Sequence, residues 1–319
     1  MSASVPTLLD ISDLHLVIGD RPILRGISIS VAPGKVVGLV GESGAGKTMV
    51  GRIVLGIQPH NAWITDGKVV FDQDDITHQN EQQRAHLLGR EIALVPQNPM
   101  TALNPVARIE PQITDVLCMH MGLDRRAARA RALELLQSVH LREPERLLRQ
   151  FPHELSGGMR QRVLIAIAFA CKPRLIIADE PTTALDVTVQ AQILWLLRDL
   201  QKRLDLAVVF VTHDLGVAAE IADFAAVMYG GRIVEQAPIR ELFRRPAHPY
   251  TAGLMQATVR RGQKGRPLVP IAGSPPSLIS LPPGCAFAPR CPLAQDVCAT
   301  APPVRAVAME HTARCHLVA

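Results

Sequence analysis

Aromatic side chains are scarce in this sequence: two Trp, two Tyr and seven Phe make up 3% of 319 residues. Proteins that track single-stranded nucleic acid need such rings as stacking platforms. The modest formal charge of +5 therefore does not by itself indicate a nucleic-acid partner. The densest basic run, Arg125 to Arg149, is interleaved with Leu133, Leu135, Leu136 and Val139, the texture of a solvated helix face. Long apolar runs are also missing. The longest, Val163 to Cys171, is about half of the roughly 20 residues a bilayer span requires. Residues 1–10 lack the basic start and apolar stretch of a signal peptide, so a cytoplasmic location is expected. Six cysteines in such a compartment are not read as disulfides. With 48% hydrophobic and 20% charged residues, the chain has the composition of a globular protein and enough length for one large domain or two smaller ones.

What is present is a glycine-rich loop, Gly41-Glu42-Ser43-Gly44-Ala45-Gly46-Lys47-Thr48. An apolar run, 36–40, precedes it and reads as a buried strand; residues 49–55 follow as the first turns of a helix. Strand, loop and helix together make the G-x-x-x-x-G-K-[ST] pattern a phosphate site. Successive backbone N–H groups and the helix N-terminus favour an anion. Lys47 would neutralise the β- and γ-phosphates and the Thr48 hydroxyl would hold Mg²⁺. The chain is expected to bind a nucleoside triphosphate.

Residues 8–31 alternate as strands with a turn at Gly19-Asp20, and 63–71 reads as a hairpin around Asp66-Gly67. Ile92 to Gln97 is a strand with a polar end. From Asn98 to Gln150 the texture is helical, with Asp124 placed to cap a helix over 123–140. Ser156-Gly157-Gly158 opens another helix running to about Cys171. Leu175 to Ala178 is a buried strand ending in Asp179-Glu180; Val187 to Arg203 is an amphipathic helix; Ala207 to Val211 is a strand ending at Thr212-His213. Strands alternating with helices imply a mostly parallel sheet, whose ligands sit beyond the carboxyl ends of the strands. Gln97, Asp179, Glu180 and His213 all fall at such ends. Residues 262–267 have the composition of a linker, and 270–319, rich in Pro and Cys with little periodicity, read as an appendage.

The ordered set of glycine loop, Gln97, Ser156-Gly157-Gly158, Asp179-Glu180, Ala184-Leu185-Asp186 and His213 resembles the ATP-binding subunits of ABC transporters over residues 8 to about 260. The resemblance implies an α/β P-loop ATPase cassette: a RecA-like core with an antiparallel β-subdomain and an inserted helical subdomain near 98–165, together spanning 1–260, plus a small irregular extension, 261–319. It also implies roles. Asp179, with Thr48 and Gln97, would hold Mg²⁺; Glu180 would polarise the attacking water; His213 would contact the γ-phosphate. Ser156, Gly157, Gly158 and Asp186 would act across a head-to-tail dimer on the partner's ATP. One departure stands out: Ile18-Gly19 occupies the place where the family carries an aromatic for the adenine.

Pro99 through Pro105, His248-Pro249-Tyr250-Thr251 and the block around Gly284-Cys285 and Pro289-Arg290-Cys291-Pro292 are similar to importers of the dipeptide/oligopeptide/nickel group, in the form of the first of their two ATPase subunits. Implied partners are a paralogous second ATPase subunit, two membrane permease subunits and, indirectly, an extracytoplasmic solute-binding protein, with no nucleic acid; the implied place is the cytoplasmic face of the membrane. A soluble ABC ATPase acting on nucleic acid or the ribosome, or an importer of nickel chelates or another small solute, is the alternative. Cys118 and Cys171 read as core residues. Cys285, Cys291, Cys298 and Cys315 are gathered in one proline-rich stretch, which suggests a metal centre. Their spacing fits neither paired C-x₂-C zinc sites nor ferredoxin runs, so zinc, with His311 or His316 as substitute ligands, and free thiols both stay open. The resemblance implies a [4Fe–4S] cluster on the four cysteines.

Overall fold

The computed structural model describes residues 7–79, 81–183, 185–258 and 269–318. The linker expected at 262–267 and Ala184 lie outside the described residues. The strands are β1 (Leu9–Ile18), β2 (Arg21–Val31), β3 (Val36–Val40), β4 (Ala62–Phe71), β5 (Asp74–Asp75) and β6 (Ile92–Val95). They continue as β7 (Leu175–Asp179), β8 (Ala207–Thr212), β9 (Phe224–Tyr229), β10 (Arg232–Pro238), β11 (Val304–Ala308) and β12 (His311–Arg314). The helices are α1 (Lys47–Leu55), α2 (Glu81–Ala85), α3 (Pro99–Ala102), α4 (Ile109–Met121), α5 (Arg125–Ser138) and α6 (Pro144–Arg149). Then follow α7 (Gly157–Ala168), α8 (Val187–Leu204), α9 (Leu215–Ile221), α10 (Ile239–Arg244) and α11 (Pro249–Ala257). The chain divides into two compact units, residues 1–78 with 210–319, and residues 79–209.

The first unit contains an antiparallel sheet in the order β2-β1-β4-β5. In β1 the buried side chains are Leu9, Ile11, Leu14 and Leu16; the alternation slips by one residue at Asp13, whose φ is 46°. Opposite it in β4 is Gly67, at φ 88°, where a Cβ would stand 2.4 Å from the Asp13 carbonyl oxygen. Asp66-Gly67 is therefore not the hairpin turn its composition suggests. It is a bulge inside one strand that pairs with β1 on both sides of it, Ser12 with Lys68 and His15 with Asp66. Bulges bend a strand without ending it, and only glycine tolerates this approach.

The unit's second sheet runs β11-β12-β10-β9-β3 and then β8, half of whose residues belong to each unit. All five residues of β3 are buried, as expected for a parallel strand covered on both faces; it pairs parallel with β9, Val37 with Phe224 and Val40 with Val227. The tail, read as an appendage with little periodicity, contributes a regular hairpin to this sheet. β12 pairs with β10, Ala313 with Glu235 and Thr312 with Gln236, and β11 pairs with β12.

In the second unit β6 and β7 pair in parallel, Ile92 with Leu175 through Val95 with Ala178. The helical block is amphipathic. Ile109, Ile113 and Leu117 of α4, Ala128, Ala132 and Leu136 of α5, and Leu147 and Leu148 of α6 are buried. Asp124 caps α5 as expected, accepting from Ala127 N at 2.8 Å. The basic run lies on the solvated side, with ion pairs Arg131–Glu134 at 2.6 Å and Arg146–Glu143 at 3.2 Å. Cys118, in α4, and Cys171, in the turn after α7, are half-buried rather than core residues: Cys118 is off the buried stripe of α4, and Cys171 lies beyond the end of α7.

Candidate functional site

In the first unit the glycine loop leaves β3 and enters α1. Gly46 stands before α1 in the left-handed region, φ 101°, so the chain turns sharply into the helix with its N–H groups following one another around the bend. A Cβ on Gly41 would be 2.3 Å from the Met228 carbonyl oxygen; the loop's start presses on β9. Lys47 is 4% exposed, and its Nζ donates to the carbonyls of Gly41 at 2.7 Å and Glu42 at 3.0 Å. The ammonium thus sits inside the curl of the loop, while Ser43 and Gly44 at its rim are exposed. His213 follows the carboxyl end of β8 and is exposed.

Two further residues hold this loop, and the sequence marked them only as parts of importer-like stretches, with no role at the loop. The Glu42 N–H donates to the Tyr250 hydroxyl at 2.9 Å, and the Glu42 carboxylate meets the guanidinium of Arg290 at 2.6 and 3.0 Å. Tyr250 belongs to the His-Pro-Tyr-Thr stretch that opens α11: the His248 ring, as N-cap, accepts from Tyr250 N at 3.0 Å. Burial holds His248 well below the ordinary imidazole range, at about 4, so the ring is the neutral acceptor this cap requires. No local pattern marks Tyr250 or Arg290 as partners of a loop more than 200 residues away.

In the second unit β7 ends at Asp179, and Glu180 follows at φ 45°, a backbone conformation that costs a bulky residue of order 1–3 kcal/mol and persists only where neighbours enforce it. Two neighbours do so. Thr183 Oγ1 donates to Glu180 Oε2 at 2.9 Å and Gln97 Nε2 to the same oxygen at 3.2 Å. Gln97 and Glu180, expected at one site from separate strand ends, are brought together; Thr183 was missed, although a hydroxyl three residues beyond the acid is turn spacing.

Ser156 caps α7, its Oγ accepting from Met159 N at 3.3 Å. Gly157 and Gly158, both half-buried, form the helix's first turn, a place where backbone N–H groups favour an anion. Gly158 has a second reason to lack a side chain: a Cβ there would stand 2.7 Å from Val189 Cγ1 of α8, so the glycine sets how closely the two helices pack. Asp186 is exposed and caps α8 through Oδ1, accepting from Thr188 N at 3.1 Å and Val189 N at 3.0 Å.

In the tail, Cys298 and Cys315 are buried and Cys285 and Cys291 half-buried. Burial raises the thiols of Cys285 and Cys291, and each also feels the charges of Cys298 and Cys315, so the four gather in one region. They form no ligating array: among the described residues no group of three or more His, Cys, Asp or Glu side chains is set to hold a metal ion. Of the two candidate substitute ligands, His311 has its Nε2 engaged by the buried Glu235 carboxylate at 2.8 Å, and His316 Nε2 lies 3.1 Å from the Thr300 carbonyl oxygen. No described helix is long and apolar enough to cross a membrane.

Residues 24–183 match the family described as ABC transporter, and residues 234–298 the family described as Oligopeptide/dipeptide transporter, C-terminal region. The dipeptide transport ATP-binding protein DppD of Bacillus subtilis is 41% identical over 97% of this chain and 94% of its own length. The oligopeptide transport ATP-binding protein AppD of the same organism is 44% identical over 93% and 92%. Among solved structures, the dimeric post-hydrolysis state of the ATP-binding cassette MJ0796, bound to ADP and Pi, is 27% identical with a TM-score of 0.65, covering 73% of this chain and 99% of that one.

Proposed function

The chain belongs to the ABC transporter ATP-binding proteins and carries the C-terminal region of their oligopeptide/dipeptide branch, and from that premise we propose that it is the ATP-hydrolysing subunit of a peptide importer. The observation that carries the chemistry is the Glu180 carboxylate, held by Gln97 and Thr183 at the end of β7. In this reading Glu180 takes a proton from the attacking water, a step worth typically 10²–10⁴-fold. Lys47 and the loop amides bind the β- and γ-phosphates, and His213 contacts the γ-phosphate. The hydroxyl of Thr48, the amide oxygen of Gln97 and the carboxylate of Asp179 are hard oxygen donors of the kind Mg²⁺ takes. Ser156, Gly157, Gly158 and Asp186 close over the ATP of a second cassette, so that ATP joins two cassettes and hydrolysis parts them.

The second cassette is proposed to be a paralogous ATPase subunit, and two permease subunits to complete the importer, at the cytoplasmic face of the membrane. The cassette is taken as 1–260 and the importer-type extension as 261–319. Met100 and Val106, both largely exposed in the stretch that follows Gln97, supply the apolar surface a permease segment needs. The purified chain alone should hydrolyse ATP slowly, and adding the permeases and the second ATPase should raise turnover at least about tenfold, as expected when half of each catalytic site comes from the partner. Full transporter-like turnover by the isolated chain, or copurification with RNA instead of two polytopic proteins, would overturn the assignment.

The [4Fe–4S] cluster on Cys285, Cys291, Cys298 and Cys315 is proposed separately, with Zn²⁺ as its rival. Its support is the gathering of four thiols in a proline-rich segment, where metal binding would add folding free energy; the described side chains do not stand as a ligand set. Anaerobically purified protein should be brown, with about four irons per chain, and Cys291→Ser should bleach it. Colourless protein with one zinc, or with none, decides against the cluster.

A further inference from the structure

Arg290 is a tail residue, next to Cys291, yet its side chain is only 6% exposed and its Nε, Nη1 and Nη2 are all engaged by the cassette or by the tail segment beside it. Nη1 and Nη2 make the two bonds to the Glu42 carboxylate, at 2.6 and 3.0 Å. Nε donates to the Ala272 carbonyl at 2.9 Å, and Nη1 also to the Tyr229 hydroxyl at 3.3 Å. Beneath the pair lies an aromatic group: Tyr229, Tyr250 and Phe287, with ring centroids 4.6 to 5.3 Å apart. The turn that presents Arg290 is set by the cysteine segment, since Ala288 N donates to the Cys285 carbonyl at 3.0 Å and Cys285 N to that of Cys298 at 2.9 Å.

Glu42 is a member of the phosphate loop, so an unpaired carboxylate there would oppose a polyphosphate. A forked guanidinium both neutralises it and fixes its direction, which a lysine cannot do. With the side chain held by Arg290 and the N–H by Tyr250, the second residue of the loop is pinned from two sides. We propose that Arg290 is a positioning residue for nucleotide binding, a latch through which the folded C-terminal tail holds the phosphate loop in its binding-competent shape. Linkage makes the coupling reciprocal: whatever the latched tail adds to nucleotide affinity, bound nucleotide adds to the stability of the tail.

The test uses the full-length chain and a fluorescent ATP analogue in EDTA, so that affinity is read without hydrolysis. Arg290→Ala should weaken binding about tenfold, the middle of the usual coupling range, and Arg290→Lys should recover part of the loss. Because the latch works through one pair, Glu42→Gln combined with Arg290→Ala should bind no worse than Arg290→Ala. Equal affinities for Arg290→Ala and the unaltered chain, or strictly additive losses in the double variant, overturn the proposal. If Arg290→Ala does not fold, hydrogen exchange of residues 285–298 in the unaltered chain decides. ATP should slow it about as much as the latch strengthens binding, and exchange indifferent to ATP refutes the coupling. An unaltered chain that binds no nucleotide would instead refute the ATPase assignment.

Discussion

Glu180→Gln should retain ATP binding and lose at least about 10²-fold in turnover. Gln matches the shape of Glu and can still accept from Thr183 Oγ1, which lies 2.9 Å from the carboxylate, so the unusual backbone at φ 45° keeps its support. What it loses is basicity. Water then attacks unaided, and the ATP-bound dimer should accumulate instead of parting, visible as a doubled mass in size-exclusion chromatography with ATP. Lys47→Ala separates binding from chemistry. It removes the ammonium curled inside the loop, and a charge-assisted contact is worth about 1.5–3 kcal/mol, so nucleotide affinity should fall by about tenfold or more. Near-normal turnover in Glu180→Gln, assayed with its partner subunits, would assign the proton to another group.

Glu235→Ala should destabilise the protein by about 3–5 kcal/mol, the cost of removing one partner from a fully enclosed pair. Glu235 is 1% exposed, and its carboxylate accepts from Ala247 N at 2.7 Å, His248 N at 2.8 Å and His311 Nε2 at 2.8 Å. One side chain on β10 therefore fastens the start of α11 and the tail strand β12. Without it two backbone N–H groups and an imidazole lie buried without acceptors, whereas Glu235→Gln keeps one carbonyl oxygen and should cost less. Urea unfolding measures both, and midpoints equal to that of the unaltered chain would disprove the role.

Acid should act on the same corner. His248 titrates near 4 in the folded protein because burial opposes its charge, against about 6.5 in an unfolded chain. Between these values the unfolded state binds the extra proton, so stability falls as pH drops from 6.5 toward 4. His248→Asn, which can still cap α11, should flatten that part of the pH dependence. An unchanged acid profile in this variant would place the titration elsewhere.

The sequence by itself determined the phosphate loop between β3 and α1, the strand ends that carry Gln97, Asp179, Glu180 and His213, the cap at Asp124 and the helix start at Ser156. Each is written in a short stretch, because a strand's apolar run, a glycine turn or a cap acts over a few residues. The tertiary structure alone decided the rest. Whether Asp66-Gly67 turned the chain or bulged within it depended on the Asp13 backbone opposite. That the tail adds a strand to the cassette's sheet depended on β10 having an edge free for β12. The partners of Glu42 and Glu235, Arg290 and His311, lie 248 and 76 residues away. A buried carboxylate must find a donor, but its need does not say which one; strand register and the packing of the tail make that choice, and neither leaves a periodic trace in the chain.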